Sequence, residues 1–143
     1  MQARRCLIDA EEITRRLAET RSATLGTVDH TGRPHLVPIV FAYRDGRLYT
    51  AVDHKPKSTN RLKRLRNIET NSAVSVLLDH YDDDWTRLWW IRVDGSARVI
   101  ASGPAFREGI ALLTRKYQPY EDQPPPGPVI EIRVETIRAW SAT

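Results

Sequence analysis

Along most of this chain apolar and polar positions alternate, and the places where the alternation lapses mark helices and turns. Asp9 reads as an N-cap, Glu12 completes a capping box, and Ile8 and Ile13 take the staple positions, which predicts a first helix over Ala10 to Glu19. Ala23 to Asp29 is β-like, His30 to Arg33 is a turn, and His35 to Arg44 is a second strand. That strand is apolar on both faces: Leu36, Pro38, Val40 and Ala42 alternate with Val37, Ile39, Phe41 and Tyr43. Two apolar faces in an antiparallel hairpin predict a barrel wall covered on its outside by helices or by a second subunit. Pro38 has no N–H to give a ladder, so its strand should have an edge or a bulge there, where a ligand can meet the backbone.

Asp45-Gly46 is a two-residue hairpin turn into a third strand, Arg47 to Val52. A basic helix follows, with Leu62, Leu65 and Ile68 as its buried stripe, and Ala73 to Asp79 makes the fourth strand. Leu88 to Ile100 is a long strand, broken or bulged at Gly95. Phe106, Ile110, Leu113 and Tyr117 recur at helical spacing. Gln123 to Pro128 is a stiff, packed connector. Val129 to Ala142 is the last strand, with Val129, Glu131, Arg133 and Glu135 alternating against Ile130, Ile132 and Val134. Six strands, the first three joined by tight turns, predict a mainly β (α+β) antiparallel barrel with short flanking helices. No repeat or boundary divides residues 1–143, which implies one domain.

Hydrophobic content of 41% against 28% charged residues describes a soluble globular chain. The single cysteine, Cys6, has no internal disulfide partner, which suits a reducing cytoplasm. No apolar run near the start has the length of a signal peptide, and none approaches a membrane span. The net charge of +4 is mild and unevenly spread. Lys55, Lys57, Arg61, Lys63, Arg64 and Arg66 crowd one strand-to-helix junction without an acid among them. Ser58 and Thr59 stand where that helix should begin. Lysines and hydroxyls beside unpaired N–H groups make an anion site, and phosphate is the natural guest. A merely solvated basic helix is the plainer reading, and the clustering at one junction favours the anion site.

Other chemistry is thin. No serine sits in a G-x-S-x-G elbow, the four histidines lack metal spacing, and no glycine-rich nucleotide loop is present. Asp82, Asp83 and Asp84 are adjacent in a loop, which suits solvation or ion pairing better than paired acid–base work. Trp85, Trp89 and Trp90 suit a subunit contact or the wall of a pocket for a flat ring. Nucleic-acid binding is disfavoured, because the cations occupy one short element and the tryptophans lie in an apolar strand. An anion anchor without catalytic side chains points to chemistry supplied by a cofactor.

Thr27 to Phe41, Thr50 to Lys57, Asn67-Ile68 with Asn71, Asp79 to Trp85, and Leu88 to Trp90 together resemble the pyridoxamine-5′-phosphate-oxidase-like split-barrel superfamily. They are most similar to its actinobacterial branch of oxidoreductases dependent on the deazaflavin coenzyme F420. The resemblance implies a six-stranded split β-barrel of the FMN-binding type, as a homodimer with cofactors at the subunit interface. It places Lys55, Lys57 and Ser58, with Thr59 and Arg61, on the cofactor phosphate, and Pro38, Val40, Thr50 and Val52 beside the ring. Trp85, Trp90 and Arg92 would close the site from the second subunit. Reduced coenzyme F420 would donate hydride to a small conjugated substrate, and Arg61, Lys63, Arg64 and Arg66 would receive its oligoglutamate tail. FMN is the alternative cofactor, and a non-catalytic carrier is the alternative role. Haem binding is more remote, since no histidine has an evident ligand context. Tyr81, His54 or a bound water could donate a proton, and catalytic residues stay unassigned.

Overall fold

The computed structural model describes residues 8–53 and 62–143. Helix α1 (Ala10–Glu19) starts as the cap pattern requires, with the Glu12 N–H donating to Asp9 Oδ1 at 2.8 Å. The Glu12 carboxylate accepts instead from Arg15 and Arg16, along the helix surface. Leu17 is the helix's fully buried anchor. Strands β1 (Ala23–Val28) and β2 (Pro34–Ile39) form a hairpin. Its turn is held by Asp29 Oδ1, which accepts from the Thr31 N–H, the Thr31 hydroxyl and the Arg33 N–H.

The expected strand from His35 to Arg44 is in fact two strands, so the sheet has seven strands rather than six. β2 ends at Ile39 and β3 (Ala42–Arg44) begins three residues on, with β4 (Arg47–Ala51) paired to it across the Asp45-Gly46 turn. The remaining strands are β5 (Ala73–His80), β6 (Trp89–Ile100) and β7 (Val129–Ser141), and the sheet order is β2-β1-β5-β6-β7-β4-β3 with antiparallel neighbours. Consecutive strands β2 and β3 are thus the two opposite edges of one sheet. Three residue steps span at most about 11 Å, so the sheet must roll up until its edges nearly meet. They approach without pairing, which is a split barrel. Pro38 sits on such an edge strand, as a residue without an N–H requires.

Phe41 plugs the split from inside and is fully buried. Its N–H donates to the Tyr117 hydroxyl at 3.1 Å, and that hydroxyl lies 3.0 Å from the Phe41 carbonyl and 2.9 Å from the Arg21 carbonyl. One phenol therefore serves the peptide that no strand partner serves, as a buried backbone group demands. The barrel interior is filled by Leu25, Leu48, Val76, Leu78, Ile91, Val93, Ile130 and Ile132. Helix α3 (Pro104–Lys116) covers β3, β4 and β7 from outside and leads into the short α4 (Pro119–Asp122), with Leu113, Tyr117 and Tyr120 packed around Ala42. Gly109 permits that approach, because a Cβ there would lie 2.9 Å from Tyr49 Cδ1.

The expected irregularity at Gly95 is present as a shift of register. Asp94 pairs with Thr136 and Gly95 with Val134, so Glu135 of β7 is the extra residue. The shift reverses the parity of β7 and turns Ile137 and Ala139 inward to the core. The Gln123–Pro128 connector is packed, the Gly127 N–H donating to Val52 and the Val52 N–H to Pro128. Helix α2 (Lys63–Thr70) follows Leu62, which holds the N-cap position. Ser58 and Thr59, where the sequence sets the start of this helix, lie outside the described residues, and Leu62 packs partly buried against the barrel core. Among the described residues no helix is long and apolar enough to cross a membrane.

Candidate functional site

The split creates a cavity of about 220 Å³ on the β2 side of the barrel. Pro38, Ile39 and Val40 form one wall, and Thr50, Ala51 and Asp53 form the opposite one. Ser22, Arg64 and Tyr120 complete the lining. The structure thus brings together Pro38, Val40 and Thr50, three of the four residues that the family resemblance sets beside a cofactor ring. Val52 does not line the cavity; it is half-buried against the main core. Lys55, Lys57, Ser58, Thr59 and Arg61 lie outside the described residues, as do His54 and Cys6.

Arg64 is the cation of this cavity. Burial lowers its pKa from the usual guanidinium value, and Asp53 acts in the opposite sense. The Tyr120 hydroxyl is pushed up, by burial first and by Asp53 second. A desolvated guanidinium in a slot with apolar walls suits a flat ring carrying an anionic appendage. Sequence reasoning assigned Arg64 only to a cofactor's tail and missed Ser22, Asp53 and Tyr120. Tyr120 continues the spacing of Phe106, Ile110, Leu113 and Tyr117 by three residues, the signal that could have found it.

Trp85, Trp90 and Arg92 are not in the cavity. Trp85 is 69% exposed in a 3-10 turn over Trp85–Arg87. Trp90 is half-buried on β6, opposite Asp79 on one side and Trp140 on the other. Arg92 donates through Nε to Asp94, which also accepts from Ser75 at 2.6 Å. Arg92 and Trp90 nevertheless share a sheet face with Pro38 at the cavity's rim. Directly paired positions run Pro38, Thr24, Leu77, Arg92 across β2, β1, β5 and β6, and paired residues point to one face. Leu36 (68% exposed) and Leu77 (40% exposed) lie on that outward face, left open among the described residues.

The acidic loop organises itself. Asp84 accepts from the Thr86 N–H and hydroxyl, Asp82 accepts from the Asp84 N–H, and the exposed Tyr81 hydroxyl donates to Asp83. Among the described residues no group of three His, Cys, Asp or Glu side chains could hold a metal.

Next to the split, Lys116 Nζ is buried without a hydrogen-bond partner, 4.0 Å over the Phe41 ring. Burial, then the charge of Arg21, brings its pKa down to about 8. Between that value and the unfolded value near 10.4 the unfolded chain binds the additional proton, so stability should rise with pH from about 8 to 10. Burial and the Glu108 and Glu131 carboxylates push the Tyr49 hydroxyl up to about 12, so above about pH 10 the sign reverses and stability should fall. Urea midpoints measured from pH 7 to 11 should show this maximum, and Lys116→Met should remove the rising limb while keeping the fall.

An edge-to-edge split barrel with a cavity at its seam defines the class of this molecule. The family model described as pyridoxamine 5′-phosphate oxidase matches residues 10–141, and the chain belongs to that split-barrel family. A search among curated proteins finds no match. Solved structures of the same fold include a conserved hypothetical protein from Mycobacterium tuberculosis, at 21% identity and a TM-score of 0.77, covering 99% of this chain and 90% of that one. A FAD-binding protein from Mesorhizobium loti is 21% identical with a TM-score of 0.72, covering 95% and 96%. The heme storage protein HutZ from Vibrio cholerae is 18% identical with a TM-score of 0.72, covering 92% and 93%.

Proposed function

We propose that this protein is a homodimeric, cytoplasmic oxidoreductase that uses reduced coenzyme F420 to reduce a small conjugated substrate at a polarised double bond. The observation that carries this reading is the seam cavity, which sets Pro38, Val40 and Thr50 around a slot walled by the half-buried Arg64. The free edge of β2 offers backbone groups to a ring, and Arg64 offers charge to an acidic appendage. Lys55, Lys57 and Ser58, with Thr59 and Arg61, follow Asp53 directly in the chain and are assigned to the phosphate. When bound, the deazaflavin supplies a hydride from C5. The chain's own part is to hold the ring against Pro38 and Val40 and to exclude water.

The uncovered face bearing Leu36, Leu77 and Trp90 supports a second subunit, whose Trp85, Trp90 and Arg92 would close the slot. A cavity of about 220 Å³ is below the roughly 300–1,000 Å³ of most cofactor sites, as expected of one half of a shared site. FMN is the second reading, favoured by the flavin-binding Mesorhizobium relative of the same fold.

Parallel fluorescence titrations of the purified protein with coenzyme F420 and with FMN test the assignment. Preference for coenzyme F420, weakened by Lys55→Ala and Lys57→Ala, is the expected result. Preference for FMN, with yellow protein on purification, would move the chemistry to flavin. Binding of neither would remove the cofactor reading altogether. Tight binding without a second pocket beside the ring would make the protein a carrier.

A further inference from the structure

We propose that a second cavity, on the outer face of β4, β6 and β7, is a binding site for a small multivalent oxyanion, a polycarboxylate or phosphate. It has a volume of about 250 Å³ and is lined by Arg47, Ser96, Ala97, Arg98, Glu131 and Arg133. It shares no lining residue with the seam cavity, so it stands whatever cofactor that seam holds.

The strand register builds the site in two rows. Arg47, Arg133 and Ser96 are directly paired across β4, β7 and β6, and Tyr49, Glu131 and Arg98 are paired in the next outward row. Like charges directly opposite one another repel, so the Arg47–Arg133 pair is unfavourable unless something negative lies between them. Arg44, the next residue across on β3, has its own partner in Asp45 at 3.6 Å.

Glu131 supplies one negative charge, but from beneath. Its side chain is 4% exposed, whereas those of Arg47 and Arg98 are 48% and 63% exposed. Its Oε1 accepts from Arg98 Nε at 2.8 Å and Arg47 Nη1 at 3.3 Å. Tyr49, the residue paired with Glu131 on β4, has its hydroxyl pushed up by burial and by the Glu108 and Glu131 carboxylates, and Glu108 does not line the cavity. A buried carboxylate thus orients two guanidinium groups and leaves both Nη atoms of Arg98 and one of Arg47 for another acceptor. The Arg133 side chain has no ion pair or hydrogen bond among the described residues.

Three guanidinium groups against one carboxylate leave two positive charges on the lining. At about 30 Å³ per water, the space admits about eight water-sized groups, which suits a compact polyanion. The Ser96 hydroxyl at the rim donates to Ser72 Oγ at 3.3 Å, so the guanidinium groups are the donors that face the space.

Isothermal titration with citrate, and separately with inorganic phosphate, at constant ionic strength tests the site. One equivalent per chain should bind, and the tighter of the two anions identifies the source of the oxyanion. Arg133→Gln and Arg98→Gln should each weaken it at least tenfold, while Arg64→Gln in the seam and Arg33→Gln on a remote turn leave it unchanged. Backbone amide shifts in NMR should concentrate at Ser96, Ala97 and Arg133, an independent readout should either variant fold poorly. Absence of saturable binding for both anions would overturn the proposal. So would equal weakening by Arg33→Gln, or shifts confined to the seam cavity.

Discussion

Gly95→Ala is expected to cost about 2–4 kcal/mol of folding stability, a large fraction of what a domain of this size has. A Cβ at this position would run into the carbonyl oxygen of Arg133 and lie 2.9 Å from Ile132 Cγ2. Side chains of a core can hop rotamers to admit a methyl group, but a carbonyl oxygen inside a ladder moves only if its strand moves. The strand in question is β7, at the point where Glu135 is inserted and the register against β6 changes. Moving it would shift Ile137 and Ala139 out of their inward positions. Urea unfolding should therefore give a much lower midpoint with an unchanged slope. Ser96→Ala, one residue on and half-buried, should stay within about 0.5 kcal/mol. A Gly95→Ala midpoint near that of the parent would mean that β6 and β7 do not approach as described.

Arg64→Glu is expected to weaken cofactor binding by more than tenfold, with folding intact. The expectation rests on the proposed function. Arg64 is the only cation lining the seam cavity among the described residues, and Asp53 lines it too. Reversing the charge would leave two carboxylates facing an acidic guest. Charge-assisted hydrogen bonds contribute about 1.5–3 kcal/mol, and repulsion from the new carboxylate adds to that loss. Arg64→Lys should retain part of the affinity, because charge survives and the planar fork does not. Fluorescence titration measures both. If Arg64→Glu bound the long-tailed cofactor as well as the parent does, neither the cavity nor the tail assignment for this arginine would stand.

Much of the barrel is legible from local chemistry. Asp9 and Glu12 mark the start of α1 because capping acts within one turn. Asp45-Gly46 marks a hairpin because few residue pairs accept the positive φ of both central positions, 49° and 78° here. Gly95 marks an irregularity because a glycine inside a strand signals a bulge or the close approach of another backbone. Pro38 marks an edge because a proline has no N–H for a ladder, whereas Val40 and Thr50 join it beside one pocket only through the family resemblance.

The rest depends on which strands meet, and alternation along one strand carries no record of that. His35 to Arg44 reads as one strand because its pattern is unbroken; only the closure of the barrel makes its halves opposite edges of the sheet. Glu131 reads as a member of β7's polar face, and so it is by parity. Its burial comes from Arg47 and Arg98, contributed by two other strands, together with the cover of α3. Leu62, at the N-cap position of α2, finds its place against core residues supplied by several strands. Capping, turns and periodicity are short-range and thus written in order along the chain, whereas the seam, its arginine and the buried carboxylate follow from long-range pairings chosen by the closed sheet.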